Sequence, residues 1–151
     1  RAGVPVDLIV RDSCRLRPKI EGLSESARVV SIVGRFLEHS RIYYFLNNGE
    51  EEYWIGSADV MQRNLSSRVE ILAPVEGPEL RSELRLVLDT QLADERCGWE
   101  MRADGSYVRR GSMDTEAPGT HRQLIDLAEE RYRDATRLKR RKPRGLPEHL
   151  D

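Results

Sequence analysis

Short apolar stretches along the chain predict a series of strands. Branched and aromatic residues dominate these stretches, and turn residues separate them, as is typical of strands that are buried on one or both faces. Asn48 and Gly49 lie between two of the stretches and both tolerate positive φ, which predicts a two-residue hairpin turn. The predicted strands are 6–10 (VDLIV), 41–46 (RIYYFL), 52–55 (EYWI), 69–72 (VEIL), 97–101 and 106–109.

Helical spacing is clearest in the second half of the chain. Residues 78–92 place five apolar side chains on one face, and residues 120–138 repeat the pattern. Residues 28–38 are ambiguous, because their apolar positions fit helical spacing while VVSIV also suits a strand; the spacing favours a short helix. Residues 12–26 are predicted to form a loop.

Strands that alternate with helices, together with hairpins, predict an α/β or α+β fold: a mixed β-sheet with flanking helices. We expect a domain over 1–110, a polar linker over 111–119, and a C-terminal helix with a basic tail over 120–151. Because the chain opens on Arg1, almost directly at a predicted strand, we also expect an N-terminal part of the fold to lie upstream.

Composition excludes several classes of protein. The 151 residues are 38% hydrophobic and 34% charged, which predicts a soluble globular protein without an integral membrane segment. The net charge of −1 predicts no nucleic-acid partner. Two distant cysteines give neither a zinc motif nor a disulfide framework, so a reduced, cytoplasmic setting is expected.

His39 and Arg41 form the first candidate for chemistry. In an extended chain, side chains two residues apart point to the same face, so a proton donor would lie beside an anion binder. Such a pair suits a phosphoryl group, whose transfer needs positioning and charge neutralisation. Glu38 would face the other way. A structural histidine remains the alternative from residue types alone.

Small and basic residues near this pair extend the candidate site. Gly56, Ser57 and Asp59 follow a predicted strand and could approach a phosphate, or could simply cap the next helix. Of three further arginines, Arg11 ends one predicted strand and Arg68 leads into another, where ligands of α/β sheets gather, although ordinary salt bridges would explain all three equally well. These arginines are Arg11, Arg63 and Arg68.

The order of these segments resembles the C-terminal catalytic region of bacterial polyphosphate kinases. The resemblance runs over about residues 3–110 and is carried by GRFLEHSRIYYF and GSADVMQRNLSSRVE. That region of the family is phospholipase D-like, and each half-site of the larger superfamily has His-x-Lys followed by Gly-Ser-x-Asn. Here His39-Ser40-Arg41 and Gly56-Ser57-Ala58-Asp59 stand in the same order.

The resemblance implies a reversible transfer of the terminal phosphate of ATP to polyphosphate, with Mg²⁺, through a phosphohistidine in an upstream domain. It implies that His39 is a supporting acid/base and ATP contact, and that Mg²⁺ and ATP are ligated mainly by domains outside this chain, so no metal ligand is named here. Oligomerisation and contacts with upstream domains are also implied. The residues expected to bind ATP or phosphate are Arg11, His39, Arg41, Ser57, Asp59, Arg63 and Arg68.

Departures from the family pattern leave other functions open. The family usually has glycine at the positions of Asp12 and Lys19, and the Asp12 carboxylate could pair with Arg11 and repel phosphate. A non-catalytic polyphosphate- or nucleotide-binding module is therefore the alternative. A phospholipase D-like phosphodiesterase completed by homodimerisation is a third hypothesis, which the long kinase motifs disfavour.

Overall fold

The computed structural model describes residues 2–112 and 116–139. Seven strands and three helices lie within these residues, so the α+β class predicted from sequence is confirmed. In chain order they are β1 Val6–Ile9, β2 Ala27–Ile32, β3 Ile42–Asn47, β4 Glu50–Gly56, α1 Gln62–Ser67, β5 Leu72–Pro74, α2 Pro78–Ala93, β6 Gly98–Met101, β7 Tyr107–Arg109 and α3 Thr120–Lys139.

A four-stranded mixed sheet has the order β1-β2-β6-β7, with β1 parallel to β2 and the other pairs antiparallel. Its inner strand β2 holds half of the buried hydrophobic residues described, and Val29 and Val30 are fully buried on opposite faces. The helix expected over 28–38 is therefore wrong. Burial of both faces selects the strand, which β-branched residues favour, and residues 33–41 then continue without regular structure.

A separate three-stranded antiparallel sheet has the order β3-β4-β5, so the strands divide between two sheets rather than one. The hairpin prediction is confirmed: Asn48 and Gly49 connect β3 to β4 with φ of 52° and 92°. The last strand of this sheet begins at Leu72 instead of Val69, whose side chain is 97% exposed. Leu72 pairs with Gly56, the last residue of β4, so the ladder cannot extend to residues 69–71.

The two long helices lie where periodicity predicts them, but α2 is not buried along its apolar face. Leu80 remains 57% exposed, and the buried side chains near the end of the helix are Thr90 and Gln91. Arg85 stacks over the Tyr44 ring, 5.1 Å from its centroid, which brings α2 to the β3-β4 hairpin. Residues 140–142 of the basic run lie outside the described residues. Residues 113–115 of the expected linker do so as well.

A buried carboxylate joins the end of α2 to the start of α3. Asp94 is 3% exposed, and its Oδ1 accepts the backbone N–H groups of Arg96 and Cys97 at 2.8 and 2.7 Å. Its Oδ2 accepts the backbone N–H and hydroxyl of Thr120 at 2.7 and 2.6 Å. Burial alone would raise the pKa of Asp94, but hydrogen bonds from Cys97, Thr120 and Arg96 outweigh burial and lower it.

Replacing Asp94 should destabilise the protein strongly. We expect Asp94→Ala to reduce the free energy of unfolding by roughly 3 kcal/mol, because four donors lose their acceptor. The native pKa of Asp94 is lowered, so its contribution is present above the unfolded pKa of about 4 and is lost as pH falls through the native pKa. Thermal unfolding between pH 7 and 2 checks both points; an unchanged midpoint at pH 7 would contradict the role of Asp94.

Lys19 adopts a backbone conformation that favours glycine. Its φ is 60°, in the left-handed region, in a loop where fully buried Pro18 precedes it and its N–H donates to the Ser24 carbonyl at 2.9 Å. Lys19 replaces the glycine that is usual in the family, and its side chain therefore makes this backbone conformation strained.

Restoring glycine should relieve that strain. We expect Lys19→Gly to raise the free energy of unfolding by about 1 kcal/mol, because the Cβ clash of the left-handed conformation disappears. Lys19→Ala is the matched control, since it removes the charge and keeps the Cβ. Denaturant unfolding of both variants measures the difference, and equal stabilities would refute the backbone explanation.

Candidate functional site

Arg41 brings together the candidate residues that come before and after the β3-β4 hairpin. Its Nη1 lies 2.8 Å from Nδ1 of His39 and also donates to the His39 carbonyl at 2.8 Å. Its Nε and Nη2 are each 2.9 Å from Oδ1 of Asp59. His39, Arg41 and Asp59 thus form one connected cluster, which we call the His39 cluster.

The hairpin sets the distance between the two halves of this cluster. Arg41 directly precedes β3, and Asp59 lies three residues after β4, so antiparallel pairing brings them to the same end of the sheet. Tyr43 reinforces the approach, because its hydroxyl donates to the carbonyl of buried Ala58 at 2.9 Å. The residues that separate Arg41 from Asp59 along the chain are therefore mainly those of the β3-β4 hairpin.

Two arginines, Arg41 and Arg11, act on the carboxylate of the His39 cluster. The hydrogen bond from Arg41 lowers the pKa of Asp59, although burial opposes it, and the charges of Arg11 and His39 lower that pKa further. Asp59 therefore stays ionised and orients the Arg41 guanidinium. His39 and Arg11 are exposed beside it. A half-buried arginine with a histidine and a second arginine nearby suits an anionic ligand.

Ser57 has its own partners in the structure. Its hydroxyl donates to Glu70 and accepts the Ile71 N–H at 3.1 Å. Gly56 is needed here, because a Cβ at this position would lie 2.9 Å from the Ile71 carbonyl oxygen. Ser57 thus fixes the loop to β5, and its role as a phosphate ligand stays a prediction. Neither it nor Asp59 caps α1, since Met61 occupies the N-cap without a side-chain hydrogen bond.

The other predicted arginines are placed less closely together. Arg11 follows β1, and its charge helps to lower the pKa of Asp59. Exposed Arg63 lies on α1, and exposed Arg68 lies at the C-terminal end of that helix. In the parts of the chain that the structure describes, these three arginines form no ion pair, so the salt-bridge alternative does not hold for them there. Between described residues, no hydrogen bond or ion pair joins Arg63 or Arg68 to the His39 cluster, and their binding role stays a prediction.

The Asp12 carboxylate has a local partner. Its Oδ1 accepts the Ser13 N–H at 2.7 Å. Within residues 2–112 and 116–139, Asp12 makes no ion pair with Arg11. The competition for Arg11 that the sequence raised is therefore absent from this arrangement.

A histidine that sequence analysis overlooked lies next to the site. His121, at the start of α3, is 7% exposed and contacts the backbone and side chains of residues before His39, whereas His39 itself is exposed. Glu38 pairs with His121 and not with Arg41, in agreement with the prediction that its side chain faces away from those of His39 and Arg41. The separation of 83 residues along the chain left no local signal for this contact.

Among the described residues, no group of three or more histidine, cysteine, aspartate or glutamate side chains could hold a metal ion. The carboxylate in the His39 cluster is already bound by Arg41. Within the same described residues, no helix has the length and apolar character needed to cross a bilayer.

The fold defines a class, an α+β domain of the phospholipase D-like type, and His39, Arg41 and Asp59 of the paired motifs lie in contact within it. The family described as "Polyphosphate kinase C-terminal domain 2" matches residues 1–122. The chain belongs to this polyphosphate kinase family.

Individual relatives agree with this assignment. Polyphosphate kinase from Synechocystis sp. is 58% identical over 110 residues, which cover 73% of this chain and 15% of that protein. Polyphosphate kinase from Pseudomonas aeruginosa is 51% identical over 118 residues, 78% of this chain and 17% of that protein. The crystal structure of polyphosphate kinase from Porphyromonas gingivalis matches with a TM-score of 0.77 and 35% identity, over 88% of this chain and 20% of that one. The chain spans less than a fifth of the length of these curated relatives.

Proposed function

We propose that this chain is part of an enzyme that reversibly transfers the terminal phosphate of ATP to polyphosphate. The acceptor of the phosphoryl group is a histidine outside this chain, and the present domain supplies the groups that hold ATP or polyphosphate. Because the chain is a small part of its relatives, its activity belongs to the larger protein, and we expect the chain alone to be inactive. Mg²⁺, upstream domains and other copies of the protein are the proposed partners.

The observation that carries this proposal is the bridging position of Arg41. One guanidinium binds both His39 and Asp59, which come from the two motifs that define the half-site. Phosphoryl transfer depends mainly on positioning and on neutralising the charge of the oxygens. A guanidinium held by a carboxylate is pre-oriented for that task and loses little side-chain entropy when phosphate binds.

Each residue then has a distinct task. Arg41 and Arg11 bind phosphate oxygens, and His39 gives or takes a proton at the oxygen of the leaving or attacking group. Asp59 holds Arg41 and keeps its charge in place. Arg63, Arg68 and Ser57 are proposed to line the path of the phosphate chain. Mg²⁺ would be held mainly by domains outside this chain.

The alternative is a module that binds polyphosphate or nucleotide without turnover. Exposed Arg11 beside the His39 cluster would support binding equally well. Retention of polyphosphate by a protein that never labels a histidine from ATP would favour this alternative.

Replacing His39 tests the enzymatic proposal. In the full-length protein, we expect His39→Ala to abolish ATP-dependent labelling of a histidine and to lower phosphate transfer at least about 100-fold, because acid–base help is lost. Arg41→Ala should cost a similar factor through loss of charge neutralisation. Labelling with γ-³²P-ATP and polyphosphate synthesis measure the two effects.

Arg122→Ala is the matched control for the arginine. Arg122 also pairs with an aspartate, Asp126 at 2.8 Å, but on the exposed surface of α3. This variant should keep wild-type transfer. Full labelling in His39→Ala would eliminate the proposed role of His39.

Removing the Asp12 carboxylate tests whether this family departure weakens the site. We expect Asp12→Gly to change ATP affinity less than about twofold, because its carboxylate binds the Ser13 N–H and not Arg11. Arg11→Ala, in parallel, should weaken ATP binding about tenfold or more. Calorimetric titration of the two full-length variants with ATP measures both affinities. A large gain in ATP affinity for Asp12→Gly would show that the carboxylate does compete with ATP for Arg11.

A further inference from the structure

The segment 33–41, which carries His39 and Arg41, has no regular secondary structure. It is nevertheless tied to α3 through His121. Nδ1 of His121 accepts the backbone N–H of Phe36 at 3.1 Å, and Nε2 lies 2.7 Å from Oε1 of Glu38. The Phe36 and His121 rings are also in contact, with centroids 5.5 Å apart.

The backbone contact fixes the proton on the imidazole ring. A backbone N–H can only donate, so Nδ1 of His121 must be the acceptor, and the proton of the neutral ring sits on Nε2 and is donated to Glu38. Both ring nitrogens are therefore engaged with the segment 33–41. Because the ring is also buried, His121 has no nitrogen left for a substrate.

The absence of a side chain at Gly34 leaves room for the His121 ring. A Cβ at this position would lie 2.4 Å from Nδ1 and 2.9 Å from Cε1 of His121. Gly34 is not among the glycines with positive φ, so the absence of a side chain is required by the ring and not by the backbone conformation. The segment thus contacts His121 through Phe36 and Glu38, and it leaves room for the ring because position 34 has no side chain.

These contacts end one residue before the His39 cluster begins. Glu38 is held by His121, and the next residue, His39, is held by Arg41. We propose that His121 is a positioning residue for the phosphoryl-transfer site: it locks the segment 33–41 onto α3 so that His39 meets Arg41 and the phosphate. The effect on transfer rests on the proposed function, whereas the anchoring of the segment does not.

Three substitutions in the full-length protein separate the two hydrogen bonds. Asparagine can accept the Phe36 N–H in place of Nδ1, and glutamine can donate to Glu38 in place of Nε2. We expect His121→Ala to raise KM for ATP at least fivefold, with His121→Asn and His121→Gln in between. A variant that merely folds less well lowers apparent kcat and leaves KM unchanged. Arg122→Ala, at the neighbouring exposed position, should change neither constant.

A double-mutant cycle tests the contact itself. Gly34→Ala should raise KM for ATP about as much as His121→Ala, because the new Cβ displaces the ring. In the His121→Ala background the clash is gone, so Gly34→Ala should add less than a twofold effect. Independent, multiplying effects of the two substitutions would overturn the proposal.

Amide hydrogen exchange gives a readout that does not depend on activity. Exchange of the Phe36 amide, whose N–H donates to Nδ1 of His121, should accelerate at least tenfold in His121→Ala and Gly34→Ala, while Arg122→Ala matches the unsubstituted protein. If the unsubstituted protein transfers no phosphate, the proposed function fails, and exchange still decides whether His121 anchors the segment. Unchanged exchange, or unchanged KM in an active His121→Ala protein, would refute the inference.

Discussion

The approach of α3 to the candidate site depends on the buried carboxylate of Asp94. Its four hydrogen bonds hold the end of α2, the chain entering β6 and the first residue of α3 against one another. Thr120 is fully buried in this contact, and His121 is the next residue. The position of α3, and with it the side chain that contacts the segment 33–41, therefore follows from one satisfied buried charge.

From this anchor a continuous series of contacts leads to the candidate site. His121 holds Phe36 and Glu38, the chain then reaches His39, and Arg41 links His39 to Asp59. Each contact involves a polar side chain whose hydrogen-bonding groups are largely used. Such networks specify one geometry, because displacing any member leaves its partners unsatisfied. An irregular segment can in this way present a histidine as accurately as a strand would.

Local chemistry made much of this fold predictable from sequence. Asn48-Gly49 defined the hairpin, helical spacing located α2 and α3, and the spacing of His39 and Arg41 anticipated their contact. The failures are long-range in origin. Residues 28–32 form a strand because both faces of β2 are covered, and β5 begins late because its first residue, Leu72, already pairs with the last residue of β4. Asp94 and His121 carried no local signal, since their partners at 120 and 38 are distant in sequence.

The two departures from the family pattern are physically different from each other, and neither removes a charge from the His39 cluster. Lys19 affects the loop through its left-handed φ, a cost in stability that leaves the cationic groups in place. Asp12 adds a carboxylate next to Arg11, but that carboxylate is engaged with its own following N–H. Arg41 still holds Asp59, and the charges of Arg11 and His39 still act on that carboxylate. The case for a module that has lost its chemistry therefore cannot rest on these two residues, and must come from the residues proposed to bind phosphate.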